Sequence, residues 1–102
     1  MVDLKAKPYY LTDSQIEWVK STIKNMTVDE KVGQLFLHLT GVTEEADVKE
    51  EVDRMHMGGI RFNPLVKEKM WEMNHNFQKM SKVPVLSAVN VEMGGNGAAK
   101  DG

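Results

Sequence analysis

The chain has 102 residues and a mass of 11.5 kDa, room for one modest domain. Its 41% hydrophobic and 27% charged residues read as a soluble globular protein, and a net charge of −2 lacks the basic face of a nucleic-acid binder. The absence of cysteine excludes disulfides, thiolate zinc sites and cysteine nucleophiles; with no run of about 18 apolar residues and no apolar leader after Met1, neither membrane nor secretion is expected, and the cytoplasm is the expected location.

Residues 1–10 read as an arm, with Pro8, Tyr9 and Tyr10 pinning it through their aromatic rings. Thr12 and Gln15 have capping-box spacing, Leu11 and Ile16 that of a hydrophobic staple, and Ile16, Val19 and Ile23 then recur as one helical stripe. A second capping box at Thr27 and Glu30 opens a short helix through about Gly33. Leu35–Leu39 is an apolar run suited to a buried strand, ending at Thr40-Gly41. Thr43 is placed to cap the next helix, whose first turn holds Glu44, Glu45 and Asp47, where the helix dipole favours negative charge. Val48, Val52 and Met55 form its apolar side, and Gly58-Gly59 is expected to end it in the left-handed conformation that glycine takes cheaply. Ile60–Phe62 reads as a second strand, stopped by Asn63-Pro64. Val66, Met70, Met73, Phe77 and Met80 then form a clear helical stripe. Pro84 bars further helix, Val85–Val91 reads as a third strand, and a glycine-rich loop follows.

Strand centres near residues 37, 61 and 87 lie roughly 25 residues apart, the spacing of consecutive parallel βα units. The expected fold class is α/β: three βα units of a (β/α)8 barrel of the TIM type, preceded by an N-terminal helix. A complete barrel needs about 250 residues. The barrel portion is therefore expected to span residues 11–102 and to be incomplete, with open sheet edges through which it self-associates.

In parallel α/β folds ligands bind beyond the C-terminal ends of the strands. Here those positions hold Thr40 and Gly41, then Arg61, Asn63 and Pro64, then Asn90, Glu92 and glycines 94, 95 and 97. The third group is the richest. Asn90 donates and accepts hydrogen bonds, Glu92 accepts them, and the glycines let backbone approach a ligand, a set suited to polyhydroxylated molecules such as sugars. The same residues also serve a plain loop, satisfying its backbone groups. Arg61 fits a ligand contact and an ion pair within a barrel layer equally well. Gly95-Asn96-Gly97 after a strand is a weak phosphate-loop pattern, since Lys100 stands where a dinucleotide fingerprint has its third glycine.

The eight methionines read as core filler. Met55, His56, Met57, Met70 and Met73 include the donors of a soft copper(I) site, but the same methionines fall on helical stripes. His38, in an apolar strand, reads as a satisfied core histidine; His56 and His75 read as solvated. Trp18 and Trp71, both on helices, read as packing residues, and Glu44, Glu45, Glu50 and Glu51 as a solvated helix face. Neither a metal site nor a cofactor is expected.

The order of motifs resembles glycoside hydrolase family 3. Met26–Phe36 (MTVDEKVGQLF) is similar to that family's lead-in helix, "T-x-E-E-K-(I/V)-G-Q-L". Gly58–Phe62 (GGIRF) is similar to its second strand, and Pro84–Gly97 to its third strand and loop, often "P-L-L-(I/V)-A-x-D-x-E-G-G". The resemblance covers about residues 11–99. It implies a retaining β-glycosidase, of the β-N-acetylhexosaminidase or β-glucosidase kind, acting through an aspartate nucleophile and a separate acid on a β-glycoside. In the hexosaminidase-like branch the loop aspartate binds a sugar hydroxyl. Asn90 matches that aspartate and Glu92 the glutamate, while Met93 intervenes before Gly94-Gly95. An amide at position 90 still bonds a hydroxyl but without the strength of a charged acceptor.

The family's Lys-His pair, nucleophile and acid have no match in this chain, so no catalytic residue is expected within it. The expectation is an N-terminal fragment of such an enzyme, inactive alone. The alternative is a stand-alone small α/β binding or interaction domain without catalytic activity.

Overall fold

The computed structural model of the chain describes residues 2–92 and 94–101. Its elements are α1 (Asp13–Asn25), α2 (Val28–Gly33), β1 (Leu37–Thr40), α3 (Glu45–Met55), β2 (Gly59–Phe62), α4 (Lys67–Met80), β3 (Leu86–Ala88) and a 3-10 turn at Gly95–Gly97. The three strands form one parallel sheet in the order β1-β2-β3, alternating with helices as the spacing predicts. The unit is a slab of 44 × 30 × 19 Å. Its radius of gyration, 15.6 Å, exceeds the roughly 13 Å of a compact domain of this length.

Both capping boxes form. Thr12 accepts from the Gln15 N–H while the Gln15 side chain accepts from the Thr12 N–H, and Thr27 and Glu30 repeat the exchange. The Lys82 ammonium against Glu30, helped by the Thr27 N–H, holds the Glu30 carboxyl down to about 2.

The core lies between the sheet and α3 and α4. Ile60 and Phe62 of β2 are buried with Val48 and Val52 of α3 and Met73 and Phe77 of α4, while Met57 and Val85 complete the cluster. Burying a side chain of this size is worth ~1.5–3 kcal/mol. Asn76, also buried, donates to the Thr43 carbonyl at 2.8 Å and so fastens α4 to the loop before α3. The methionines belong to this packing: Met57 and Met73 are buried, and Met55, Met70 and Met80 lean on the cluster.

The approaches to β1 and β2 interlock. Gln34 donates from Nε2 to the His56 carbonyl at 2.9 Å, and a Cβ on Gly33 would fall 2.5 Å from the same oxygen. A Cβ on Gly58 would fall 2.1 Å from the Gln34 carbonyl oxygen.

Several elements differ from the sequence expectations. The left-handed end of α3 is His56, at φ 48°, and Gly59 already belongs to β2; Gly58 and Gly59 answer to close backbone approach, not to helix termination. Thr43 does not cap α3: the N-cap is Glu44, without a side-chain bond. Val66 is the exposed N-cap of α4, outside its stripe. β1 starts at Leu37 because Leu35 and Phe36 bond back to Val32 and Gly33, and β3 spans only the residues that pair with Gly59–Arg61. Nor are these strands buried: Leu37, Leu39 and Leu86 are 59%, 52% and 72% exposed, since the helices cover one face only.

Trp18 and Trp71 are exposed and not packed in the core, and Trp71 stacks on His75 with ring centroids 4.8 Å apart. Tyr9 and Tyr10 are exposed too. A Leu11 N–H to Leu4 carbonyl bond of 3.0 Å and a Lys5–Asp13 ion pair hold the first residues in place of their rings. Of the glutamates expected on a solvated face, Glu44, Glu45 and Glu50 are exposed, the first two pairing with Lys69 and Lys79 of α4, whereas Glu51 turns inward. No helix of the described residues is long and apolar enough to cross a membrane.

Candidate functional site

Parallel register aligns equivalent positions across the sheet, so Leu37, Leu39, Arg61, Leu86 and Ala88 share the face that the helices leave open. Arg61 is half-buried there, and among the described residues it makes no ion pair. Among the described residues no side-chain hydrogen bond uses its guanidinium donors either.

The first strand end has a structural task. Thr40 is buried and donates from Oγ1 to Glu51 Oε2 at 2.8 Å, while the Val42 N–H donates back to Thr40 Oγ1 at 3.3 Å. His38 Nε2 lies 3.4 Å from the same carboxylate oxygen. The half-buried His38 is thus satisfied as expected, and Glu51 fastens α3 to β1. The role of Glu51 escaped the sequence because glutamate in a run of acidic residues reads as surface.

At the third strand end, Asn90 and Glu92 are exposed two and four positions beyond β3. Met93, which separates them from the glycines, lies outside the described residues. Gly94 has φ +92°, a backbone conformation open to glycine, and the turn closes with Gly97 N–H to Gly94 carbonyl at 3.0 Å. A Cβ on Gly97 would fall 1.9 Å from the Asn90 carbonyl oxygen, so this turn lies directly on the Asn90 backbone. Beyond it the chain returns to the loop after β2. Leu65 donates to the Ala98 carbonyl at 3.2 Å and Lys100 to the Leu65 carbonyl at 2.8 Å. The fold thus joins the second and third candidate groups, around Asn63-Pro64 and Asn90–Gly97, and leaves Thr40 out.

Asp101 is a residue the sequence reading missed. Its Oδ1 accepts from the Lys67 N–H at 2.8 Å and supplies the cap that Val66 cannot. An apolar residue at a helix start, with an unassigned acid elsewhere, was the available signal. The partner lies 34 residues away in sequence, beyond any local pattern.

At the opposite end of the sheet, a cavity of about 340 Å³ is lined by Thr22, Met26, Glu30, Gln34, Met57 and Ser81. None of the strand-end candidates borders it, though His56 and Met57 do. Among the described residues no three His, Asp or Glu side chains gather to hold a metal ion.

No family model matches the chain. A β-N-acetylglucosaminidase/β-glucosidase of Cellulomonas fimi is 32% identical to it over 94 residues, which cover 92% of this chain and 17% of that protein. Among solved structures, β-glucoside phosphorylase BglX bound to 2FGlc superposes with a TM-score of 0.79 at 34% identity, over 95% of this chain and 18% of that one. A second structure of β-glucoside phosphorylase BglX gives 0.74 at the same identity, over 97% of this chain and 17% of that one. The chain spans under a fifth of the length of the relatives it matches.

Proposed function

We propose, from the homology of nearly the whole chain to the N-terminal region of glycoside hydrolase family 3 enzymes, that residues 11–102 form the first three βα units of a (β/α)8 barrel acting on β-glycosides. The carrying observation is the agreement of fold at 34% identity over 95% of the chain, with a polar set at the C-terminal strand ends where such barrels bind ligands. Asn90 and Glu92 bind hydroxyls of the sugar, and Arg61 reaches it from the open sheet face. That face, with Leu37, Leu39 and Leu86, belongs to the barrel interior, and in isolation it makes the chain self-associate.

The catalytic nucleophile and acid of the complete enzyme come from outside these residues. The glycosyl group passes to water in a glycosidase and to phosphate in a phosphorylase, and the residues here serve either outcome by holding the sugar. The glucose analogue bound to one relative supports a carbohydrate ligand.

Titration of the isotopically labelled chain with methyl β-D-glucoside tests the reading. Saturable NMR shifts at Asn90, Glu92 and Arg61 are expected, with no turnover of an aryl β-glucoside by the mass-verified chain. Shifts confined to the opposite end of the sheet, or turnover by the chain alone, would overturn it.

A further inference from the structure

We propose that Asp101 and Gly97 are positioning residues for Asn90, joining the loop after β3 to the start of α4 as one latch. The geometry stands on its own; its consequence for ligand binding rests on the sugar-site reading above.

A helix leaves its first N–H groups without intrahelical partners. α4 starts behind Val66, whose side chain has no acceptor, and the Lys67 N–H is met by the Asp101 carboxylate, 2.8 Å away. A carboxylate at that end is also favoured by the helix dipole. Next to this cap, the two Leu65 backbone bonds to Ala98 and Lys100 bind the strand-end loops side by side. On the far side of the same segment, Gly97 lies so close to Asn90 that a Cβ would fall 1.9 Å from its carbonyl oxygen and 2.9 Å from the Val91 Cα. A continuous path therefore runs from α4 through Asp101 and the Leu65 bonds to Gly97 and Asn90. α4 is held by the core through Met73 and Phe77, which makes it the fixed end. Asn90, itself exposed beyond the last strand pair, takes its position from this path.

The test uses the full chain with Asp101→Ala, Asp101→Asn and Gly97→Ala. Three readouts are the hydrogen exchange of the Leu65 and Lys100 amides, the NMR shift of the Asn90 side-chain amide, and the affinity for methyl β-D-glucoside. Asp101→Ala should speed exchange, as removing a helix cap does, and weaken the glucoside several-fold. Asp101→Asn, whose amide oxygen still accepts, should restore both. Gly97→Ala should move the Asn90 signal while leaving the core amides protected. Unchanged exchange and Asn90 signals in Asp101→Ala overturn the latch. Changed signals with unchanged glucoside affinity overturn its positioning role. Variants that show these latch effects beside a parent chain that binds no glucoside refute the sugar reading and uphold the latch.

Discussion

On the helix side of the sheet Ile60 and Phe62 are buried between α3 and α4, whereas on the other side Leu37, Leu39 and Leu86 stand more than half exposed around Arg61. The strands' helix-side positions are mixed, with polar His38, Thr40 and Ser87 beside apolar Ile60 and Phe62, whereas the open face is apolar around Arg61. Parallel sheets occur almost only with both faces covered, so the contrast lies in what overlies the sheet and not in a polar open face. One face is a finished core; the other has the composition of a core and the exposure of a surface. This separates two properties often treated as one, the stability of the unit and its completeness.

Substitutions can break the contrast or sharpen it. Phe77→Ala, in the finished core, should cost ~3–5 kcal/mol in urea unfolding. A loss no larger than that of an open-face substitution would show that the helix side does not carry the stability. Thr27→Ala, at the junction leading into β1, should cost ~1 kcal/mol by removing a cap. Its partner Glu30 is read through its pH dependence, which lies in acid. The folded carboxyl titrates at about 2 against an ordinary 4.5, so the ionised form favours the folded state. That contribution is complete above about pH 4.5, declines as pH falls toward 2, and vanishes below, where both states are protonated. Urea midpoints across this window should fall in the parent and flatten in Glu30→Gln. Leu86→Ser, on the open face, should change stability by less than ~0.5 kcal/mol. Sedimentation at high concentration should show less self-association.

The finished face was legible in the sequence because helical periodicity reports local burial. Val48 and Val52, and then Met70, Met73, Phe77 and Met80, show their side by spacing alone. The open face was only partly legible: an apolar run such as Leu35–Leu39 reads as a buried strand, but nothing within it tells whether a layer covers it. Gly33, Gln34 and Gly58 carried much of the family resemblance, yet their task is the backbone interlock before β1 and β2, not sugar chemistry. At the candidate site, Asn90, Glu92 and Arg61 were locatable from strand ends. Asp101 and Glu51 were not, because each acts on a partner brought near only by folding.

The strand order β1-β2-β3 also has a consequence in time. Each strand pairs only with its neighbour in sequence, so no strand waits for a distant one before it can be used. Closing such short connections is fast compared with synthesis at about 5–20 residues per second. On a ribosome the sheet grows at one edge, unit by unit, in the order of translation. Every arrested stage presents the next strand with a ready template, and the same edge is open to capture by a neighbouring nascent chain.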